Sequence, residues 1–496
     1  MLLDARTLPP RHRLEADLCI VGAGAAGVTL ARELGRHGVH VALLESGGLE
    51  TEPETHELCD GEGTTPTAPD AASYLKSSRV RVFGGTTSHW NGQCRPLDPI
   101  DFEPRPWLPE SGWPFGLSTL EPYYRRAEPL LDLDPFVAPH GSATTRESGS
   151  LLRPDSGLET ANFHFSRPTR FGLEFRDEIV RAPRIDLVLH ANVLRLECDA
   201  DQRRVERATA ATLEGGRLEV LAHRFVLAAG GIENPRLLLL SGSSDRGGLG
   251  NRHDLVGRYF MEHPHVQIGH VAAAGRMTGL NSVLGYRART KPMLRLVEPV
   301  QRQDELLNCA FRFDNAPAPD SEAHVESASR LAADIASLRG SRNAPRRIPT
   351  AVFEVTAMTE QAPDPESRVQ LGEERDALGS RKAKLTWRLS DLDFDGLRRS
   401  CDRLGRELGG QGAVRLRYED RRERLVERVL GGNHHMGTTR MHSDPRRGVV
   451  DADCRVHGLE NLYVAGSSVF PTGGWANPTL TILALSFRLA DHLAAR

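Results

Sequence analysis

The chain has almost no lysine: only four of its 63 basic residues, the rest being arginine. The arginines are scattered among 66 acidic residues, and the formal net charge is −3. That balance gives no bulk attraction to nucleic acid or to an anionic lipid surface. Cysteine is also sparse. The seven, Cys19, Cys59, Cys94, Cys198, Cys309, Cys401 and Cys454, never fall in a CxxC or CxxCH arrangement. This argues against a zinc site, an iron–sulfur cluster or an attached haem, and no metal is expected. Dispersed and odd in number, they suit free thiols in a reducing compartment.

Long apolar runs are missing too. Leu18 to Ala31 contains three glycines and is too short to span a bilayer. Met1 to Arg6 brings in an acid and a base before any apolar segment, unlike a secretory signal. The expectation is a cytoplasmic, soluble protein with no membrane partner. Its 496 residues should form more than one structural unit.

What is present starts at Ala16–Val21, a short buried strand. Gly22-Ala23-Gly24-Ala25-Ala26-Gly27 follows and opens a helix to about Arg36; His40–Leu44 is a second strand, ending at Glu45. This is a βαβ unit with GxGxxG at its strand-to-helix turn. Gly22 permits the tight turn, Gly24 lets a pyrophosphate approach the backbone, and Gly27 lets helix and strand pack closely. The helix N-terminus offers N–H groups and positive potential to that pyrophosphate. Glu45, 18 residues after Gly27, is placed to accept from an unphosphorylated ribose, favouring FAD or NAD over NADP.

A second glycine turn, Gly84-Gly85-Thr86-Thr87-Ser88-His89-Trp90-Asn91-Gly92, can lie flat against a planar ligand and offers N–H and O–H donors together. That suits a flavin better than a nicotinamide. His89 has two readings, a covalent link to the flavin ring or a histidine hydrogen-bonded locally beside a noncovalent cofactor.

Leu97 to Leu133, rich in proline and aromatics, reads as a crossing loop, with a cofactor cover or an oligomer contact as the alternative. Ile185 to Leu196 alternates like a pair of strands, and a hairpin turning at Gly215-Gly216 follows. Arg224 to Gly231 is a further strand-to-glycine turn. It leads into a helix from Asn234 to Gly242 with Pro235 in its first turn. From His263 the texture changes to short alternating runs, at His265–Val271, Met293–Val300, Leu306–Phe313, Ala351–Ala357, Arg368–Leu371 and Ala383–Leu389. These read as an antiparallel sheet, with Leu392–Leu408 an amphipathic helix across it and Ala316–Pro349 an insertion.

The carboxy-terminal stretch holds two polar groups fit for chemistry, His434 and Asn477, 43 residues apart. Between them Asn461–Ser467 is strand-like. Asn477 followed by Pro478 also reads as a helix N-cap with proline at N1. The helix from Thr479 to Leu493 would turn its positive end towards the flavin and stabilise the reduced form.

On the amino-terminal GxGxxG, Gly84-Gly85-Thr86-Thr87, the Ala228-Ala229-Gly230 turn with Asn234-Pro235 and Ser241-Gly242, and the block from His434 to Asn477-Pro478, the chain resembles the glucose–methanol–choline oxidoreductases. The likeness spans nearly its whole length. The last block and Thr87-Ser88-His89-Trp90 most resemble the pyranose oxidase branch, whose matching histidine carries covalent flavin.

The resemblance implies a Rossmann-like α/β FAD-binding domain (1–100, 185–262 and 430–496) and a discontinuous α+β antiparallel-sheet substrate domain (101–184 and 263–429). It implies FAD, a hydroxyl-bearing substrate, a His434–Asn477 catalytic pair and a Val193 backbone contact to adenine. The expected cofactor contacts are Gly22, Gly24, Ala25, Ala26, Gly27, Glu45, Ser46, Gly84, Gly85, Thr86, Ser88, His89, Trp90, Asn91, Gly92, Val193, Ala229, Gly230, Gly466, Ser467, Asn477, Pro478 and Thr479.

The chemistry expected of these residues is alcohol oxidation. A base must take the hydroxyl proton as the carbon-bound hydride leaves, and a neutral imidazole is suited to it. His434 is the candidate, with adjacent His435 pointing elsewhere, and Asn477 would hold the substrate oxygen. The expected substrate is a sugar, glycoside or polyol-like alcohol, with oxygen or another acceptor taking the electrons. The alternatives are a hydroxynitrile-lyase-like enzyme that keeps FAD for structure, an NAD-dependent reductase and a non-enzymatic nucleotide-binding module. The sequence sets no oligomeric state.

Overall fold

Strand His12–Val21 lies at the centre of the first sheet. Its last residues, Leu18 to Val21, are apolar and buried, as a parallel strand covered on both faces requires. A computed structural model describes all residues except 67–70, 136–151, 153, 154, 243–246, 275–288, 316–328, 331, 332, 334–349, 411–413 and 496. The central strand pairs in parallel with Val41–Leu44 on one side and Arg217–Leu227 on the other. Ile185–Leu189 and then Leu2–Asp4 extend the sheet beyond Val41–Leu44. Leu462–Val464 returns from the far end of the chain to lie parallel to Phe225–Leu227. Helix Ala25–Arg36 packs against the carboxy-terminal helix Thr479–Ala494. One core therefore joins Ile20, Leu43, Val226, Val464 and Leu483, from both ends of the sequence.

Several expected elements move. Ile185–Leu196 does make two strands, Ile185–Leu189 and Asn192–Cys198, but they lie towards opposite edges of the sheet. Asn192–Cys198 pairs instead with Val205–Ala211, the first arm of the expected hairpin, which turns at Gly215 with φ 91°.

The helix expected from Asn234 is Gly230–Leu240, so Pro235 is interior rather than in the first turn. Proline cannot donate to the carbonyl four residues back. That carbonyl, on Gly231, accepts from the Thr438 hydroxyl at 2.6 Å instead. The Asn234 side chain accepts from the Ala229 N–H at 2.8 Å and donates to Ala465 O at 3.1 Å and to Ser468 Oγ at 3.0 Å. It ties the helix start to the returning strand.

The second sheet is antiparallel, with neighbouring strands Val414–Tyr418, His265–Ala274, Thr350–Thr359, Cys309–Asn315, Thr290–Leu296 and Leu158–Phe165. Gln93–Cys94, from the amino-terminal stretch, adds to its edge. The expected Met293–Val300 strand stops at Leu296 and becomes helix Glu298–Gln303, with proline in its first two positions. Arg368–Arg375 and Arg381–Thr386 leave this sheet altogether. They pair with each other, and the second runs parallel to Gly61–Thr64. Glycine allows that approach, since a Cβ on Gly63 would stand 1.8 Å from Leu385 O.

Helix Asp391–Gly410 buries Phe394, Leu397, Cys401, Leu404 and Leu408 in the core of the antiparallel half. The proposed insertion Ala316–Pro349 lies almost wholly outside the described residues. Leu97–Leu133 is not a loop throughout, because Leu117–Leu130 is a helix despite Pro122 and Pro129. Its Tyr124 hydroxyl meets Thr481 Oγ1 at 2.8 Å, and Arg126 pairs with Asp491 at 2.7 Å. Among the described residues no helix is long and apolar enough to cross a membrane.

Candidate active site

The strand-to-helix turns of the first sheet, the Gly84–Gly92 loop, the antiparallel sheet and the carboxy-terminal loops enclose one cavity of about 490 Å³. That is the size of a small-molecule site. Gly22, Gly24, Ala25, Ala26, Glu45, Ser46, Val193, Ala229 and Gly230 line it. So do Gly85, Thr86, His89, Trp90, Asn91, Gly92, His434, Gly466, Ser467, Asn477, Pro478 and Thr479. Three expected contacts do not line it: Gly27, Gly84 and Ser88. Gly27 packs the helix on the strand, where a Cβ would stand 1.9 Å from Gly22 O. Gly84, at φ 96°, lets the loop pass Gly172, whose N would be 2.3 Å from an added Cβ. Ser88 is on the exposed side.

The two glycine turns meet face to face. The Gly84 N–H donates to Ala23 O at 2.9 Å, and a Cβ on Gly85, whose φ is 56°, would stand 2.9 Å from the Gly24 Cα. Gly24 is the N-cap of helix Ala25–Arg36 and leaves its first turn without a side-chain cap. The Glu45 carboxylate accepts from Ala23 N at 2.9 Å and Gly47 N at 3.0 Å, which fixes the acid beside the turn. Burial pushes the Glu45 pKa up.

Thr479–Ala494 likewise starts with no side-chain cap, its N-cap being Pro478 rather than Asn477. Asn477 is therefore not spent on capping, and its Oδ1 is buried with no hydrogen-bond partner among the described residues. Two uncapped helix N-termini, an acid beside the first, and an unpartnered amide fit a diphosphate-linked dinucleotide with a polar ring system. The residues present thus fit FAD. Gly24 to Ala26 would hold the diphosphate, Glu45 the ribose and the Gly85–Gly92 loop the ring. Among the described residues no group of His, Cys, Asp or Glu could hold a metal ion.

His434 sits in a nest of histidines. Its Nδ1 is 2.9 Å from His263 Nδ1, and the His263 Nε2 is 3.2 Å from Gly473 O. The His265 ring lies 6.4 Å from that of His434. Burial, then the nearby His263 and His265, hold the His434 pKa well below its ordinary value of 6.5. Burial lowers His263 to about 4 and His265 to about 3. His435 turns its ring between Tyr74 and Phe260, at 5.6 and 5.8 Å, and burial lowers it to about 3. All four rings are therefore neutral at neutral pH.

One carboxylate organises the backbone here. Glu262 Oε1 accepts from His434 N at 3.0 Å, and Oε2 accepts from His263 N at 2.9 Å and Gly432 N at 3.1 Å. The Tyr74 hydroxyl donates to it as well. His265, Arg312 and Met358 reach the cavity from the antiparallel sheet. Sequence reasoning named none of Glu262, His263, His265, Arg312 or Met358 as site residues. The one signal was the dense Glu262-His263-Pro264-His265 run, which it used only to mark a change of texture.

A family model described as GMC oxidoreductase matches residues 363–486, the segment that carries both His434 and Asn477. A model described as FAD binding domain matches residues 15–53, which hold the first glycine turn and Glu45. The fructose dehydrogenase large subunit of Gluconobacter japonicus is 26% identical, covering 97% of this chain and 98% of its own. The 6'''-hydroxyparomomycin C oxidase of Streptomyces lividus is 27% identical, covering 97% and 92%. The crystal structure of pyridoxine 4-oxidase from Mesorbium loti shares the fold, with a TM-score of 0.60 at 19% identity over 97% of this chain and 99% of that one. With the nucleotide turn at one end of the sequence and the histidine–asparagine block at the other closing on one cavity, the carboxy-terminal segment matches the GMC oxidoreductase family, and the chain is similar over nearly its whole length to GMC-type oxidoreductases.

Proposed function

We propose that this protein oxidises a hydroxyl group of a sugar, glycoside or polyol-like alcohol to a carbonyl, with His434 as the base. The observation that carries the reading is that His434, a half-buried neutral imidazole with no hydrogen-bond partner on Nε2 among the described residues, lines the same cavity as the nucleotide turn and Asn477. FAD, when bound, supplies the acceptor for the carbon-bound hydride. The chain's own residues manage the proton and the geometry. His434 takes the hydroxyl proton at Nε2, a step a positioned base typically speeds by about 10²–10⁴-fold. The unspent amide of Asn477 holds the same oxygen and fixes which carbon is presented. On the antiparallel-sheet side, His265 and Arg312 give the cavity a polar wall suited to further hydroxyl groups. The two relatives, one named for fructose and one for hydroxyparomomycin, support a hydroxyl-rich substrate.

The test is anaerobic mixing of the yellow holoprotein with sugars, glycosides and simple alcohols while the visible flavin absorbance is followed. Parallel assays with oxygen and with a dye find the electron acceptor. A productive alcohol should bleach the flavin, and His434→Ala should keep the yellow colour but lose that bleaching. Unchanged bleaching by His434→Ala would remove His434 as the base. Cleavage of a cyanohydrin without bleaching would replace oxidation by lyase chemistry.

A further inference from the structure

The pair of imidazoles at the site has its proton positions dictated from one end. Gly473 O can only accept a hydrogen bond, so His263 Nε2, 3.2 Å away, carries a proton. His263 is fully buried and neutral at neutral pH, so its Nδ1 is then a lone pair. That lone pair faces His434 Nδ1 at 2.9 Å, and one of the two nitrogens must donate. Only His434 Nδ1 can. The neutral His434 ring is left with its lone pair on Nε2.

The backbone holds both rings in this register. The Glu262 carboxylate accepts from the N–H of His263 and from the N–H of His434, so neither residue can move without breaking a bond to the same group. The other titratable groups around the pair are His265, His435, Tyr74 and Glu360. His265 and His435 are neutral by burial, and Tyr74 donates to Glu262. Glu360 is held in a bidentate pair with Arg105. None of them is recorded as a hydrogen-bond partner of either ring.

We infer that His263 is a positioning residue for His434: anchored on the Gly473 carbonyl, it accepts the His434 Nδ1 proton, fixes that tautomer, and so keeps Nε2 as the only basic nitrogen. The inference rests on the reading of His434 as the base. A donor in place of His263 would reverse the tautomer, and a residue with no acceptor would leave it unset.

The experiment uses the FAD-loaded protein with ¹⁵N-labelled histidine. The His434 signals are identified by their loss in His434→Ala. In the unaltered protein His434 should show a protonated Nδ1 and an unprotonated Nε2. His263→Ala should show a mixture of the two forms. Its kcat should fall with little change in KM, by between about tenfold and the 10⁴-fold that a wrong tautomer costs in the Ser–His–Asp triad. His263→Gln, whose side-chain oxygen can still accept, should recover part of the loss, and it stands in if the alanine variant does not fold. An unprotonated Nδ1 on His434 in the unaltered protein would overturn the proposal. So would unaltered spectra and kcat in both variants. If His434→Ala still reduces its flavin normally, the reading of the base fails, while the ¹⁵N result still decides the tautomer.

Discussion

The Thr438 hydroxyl donates to Gly231 O at 2.6 Å, the carbonyl that Pro235 cannot serve. Thr438 is three residues past His435, and a Cβ on Gly231 would stand 2.5 Å from His435 O. The interrupted helix and the loop that carries His434 are thus joined at the point where the helix lacks its own bond. Thr438→Val should leave that buried carbonyl unpaired and cost about 1–3 kcal/mol. Thr438→Ser should retain most of the stability. Urea unfolding of the holoprotein checks both, and equal midpoints for all three forms would show that the bond carries no weight.

Part of the acid sensitivity should be traceable to the His435 ring, beside the shares of His263, His265 and His434. His435 is buried and neutral, its pKa lowered from 6.5 to about 3. The unfolded chain takes up its proton as pH falls through 6.5 while the fold refuses it until about 3, so this residue's contribution is complete above 6.5 and is lost on acidification. His435→Phe keeps a ring between Tyr74 and Phe260 and removes the titration. Relative to the unaltered protein, the variant should gain about 2 kcal/mol between pH 7 and pH 5. Parallel unfolding curves at the two values measure it, and a pH-independent difference would contradict the assignment.

Arg105 and Glu360 form a bidentate pair at 2.6 and 2.7 Å with both side chains wholly buried. Removing one partner strands a charge. Arg105→Met or Glu360→Gln alone should destabilise by about 3–5 kcal/mol, and replacing both by apolar residues should cost far less than the sum. A double-mutant cycle by denaturant unfolding gives the coupling, and additive effects would count against it.

The ring of His89 has no hydrogen-bond partner among the described residues, and it lines the cavity. Burial, then the Arg170 charge, lower its pKa, which keeps the imidazole neutral and nucleophilic. Its two readings, a covalent flavin link and a local contact beside a noncovalent cofactor, separate on denaturation. Acid-precipitated protein should keep its yellow colour in the pellet, and His89→Ala should release it to the supernatant. Complete release from the unaltered protein would exclude the link.

Local sequence was enough wherever a residue's task is set by its immediate neighbours. Gly22 to Gly27 could be read because tight turning and close helix packing demand glycine at those spacings, whatever surrounds them. The Gly85 turn, Glu45 at a strand end, and the amphipathic Asp391–Gly410 helix were legible for the same reason. Leu117–Leu130 was hidden because its two prolines signal a loop, and only packing against Thr479–Ala494 makes it a helix. Arg368–Arg375 and Arg381–Thr386 alternate like any antiparallel strands. Their partner, Gly61–Thr64, lies some three hundred residues away and has no strand-like pattern of its own.

The site divides along the same line. The sequence by itself determined that a dinucleotide turn and a histidine–asparagine block exist, because each is a run of neighbouring residues with a fixed local geometry. Only the tertiary structure decided that Asn477 leaves the capping position to Pro478, and that His263 faces His434 across 171 residues of chain. Hydrogen-bond direction between two rings depends on what lies behind each of them. Behind His263 is a backbone carbonyl, Gly473 O, which no side-chain pattern reports.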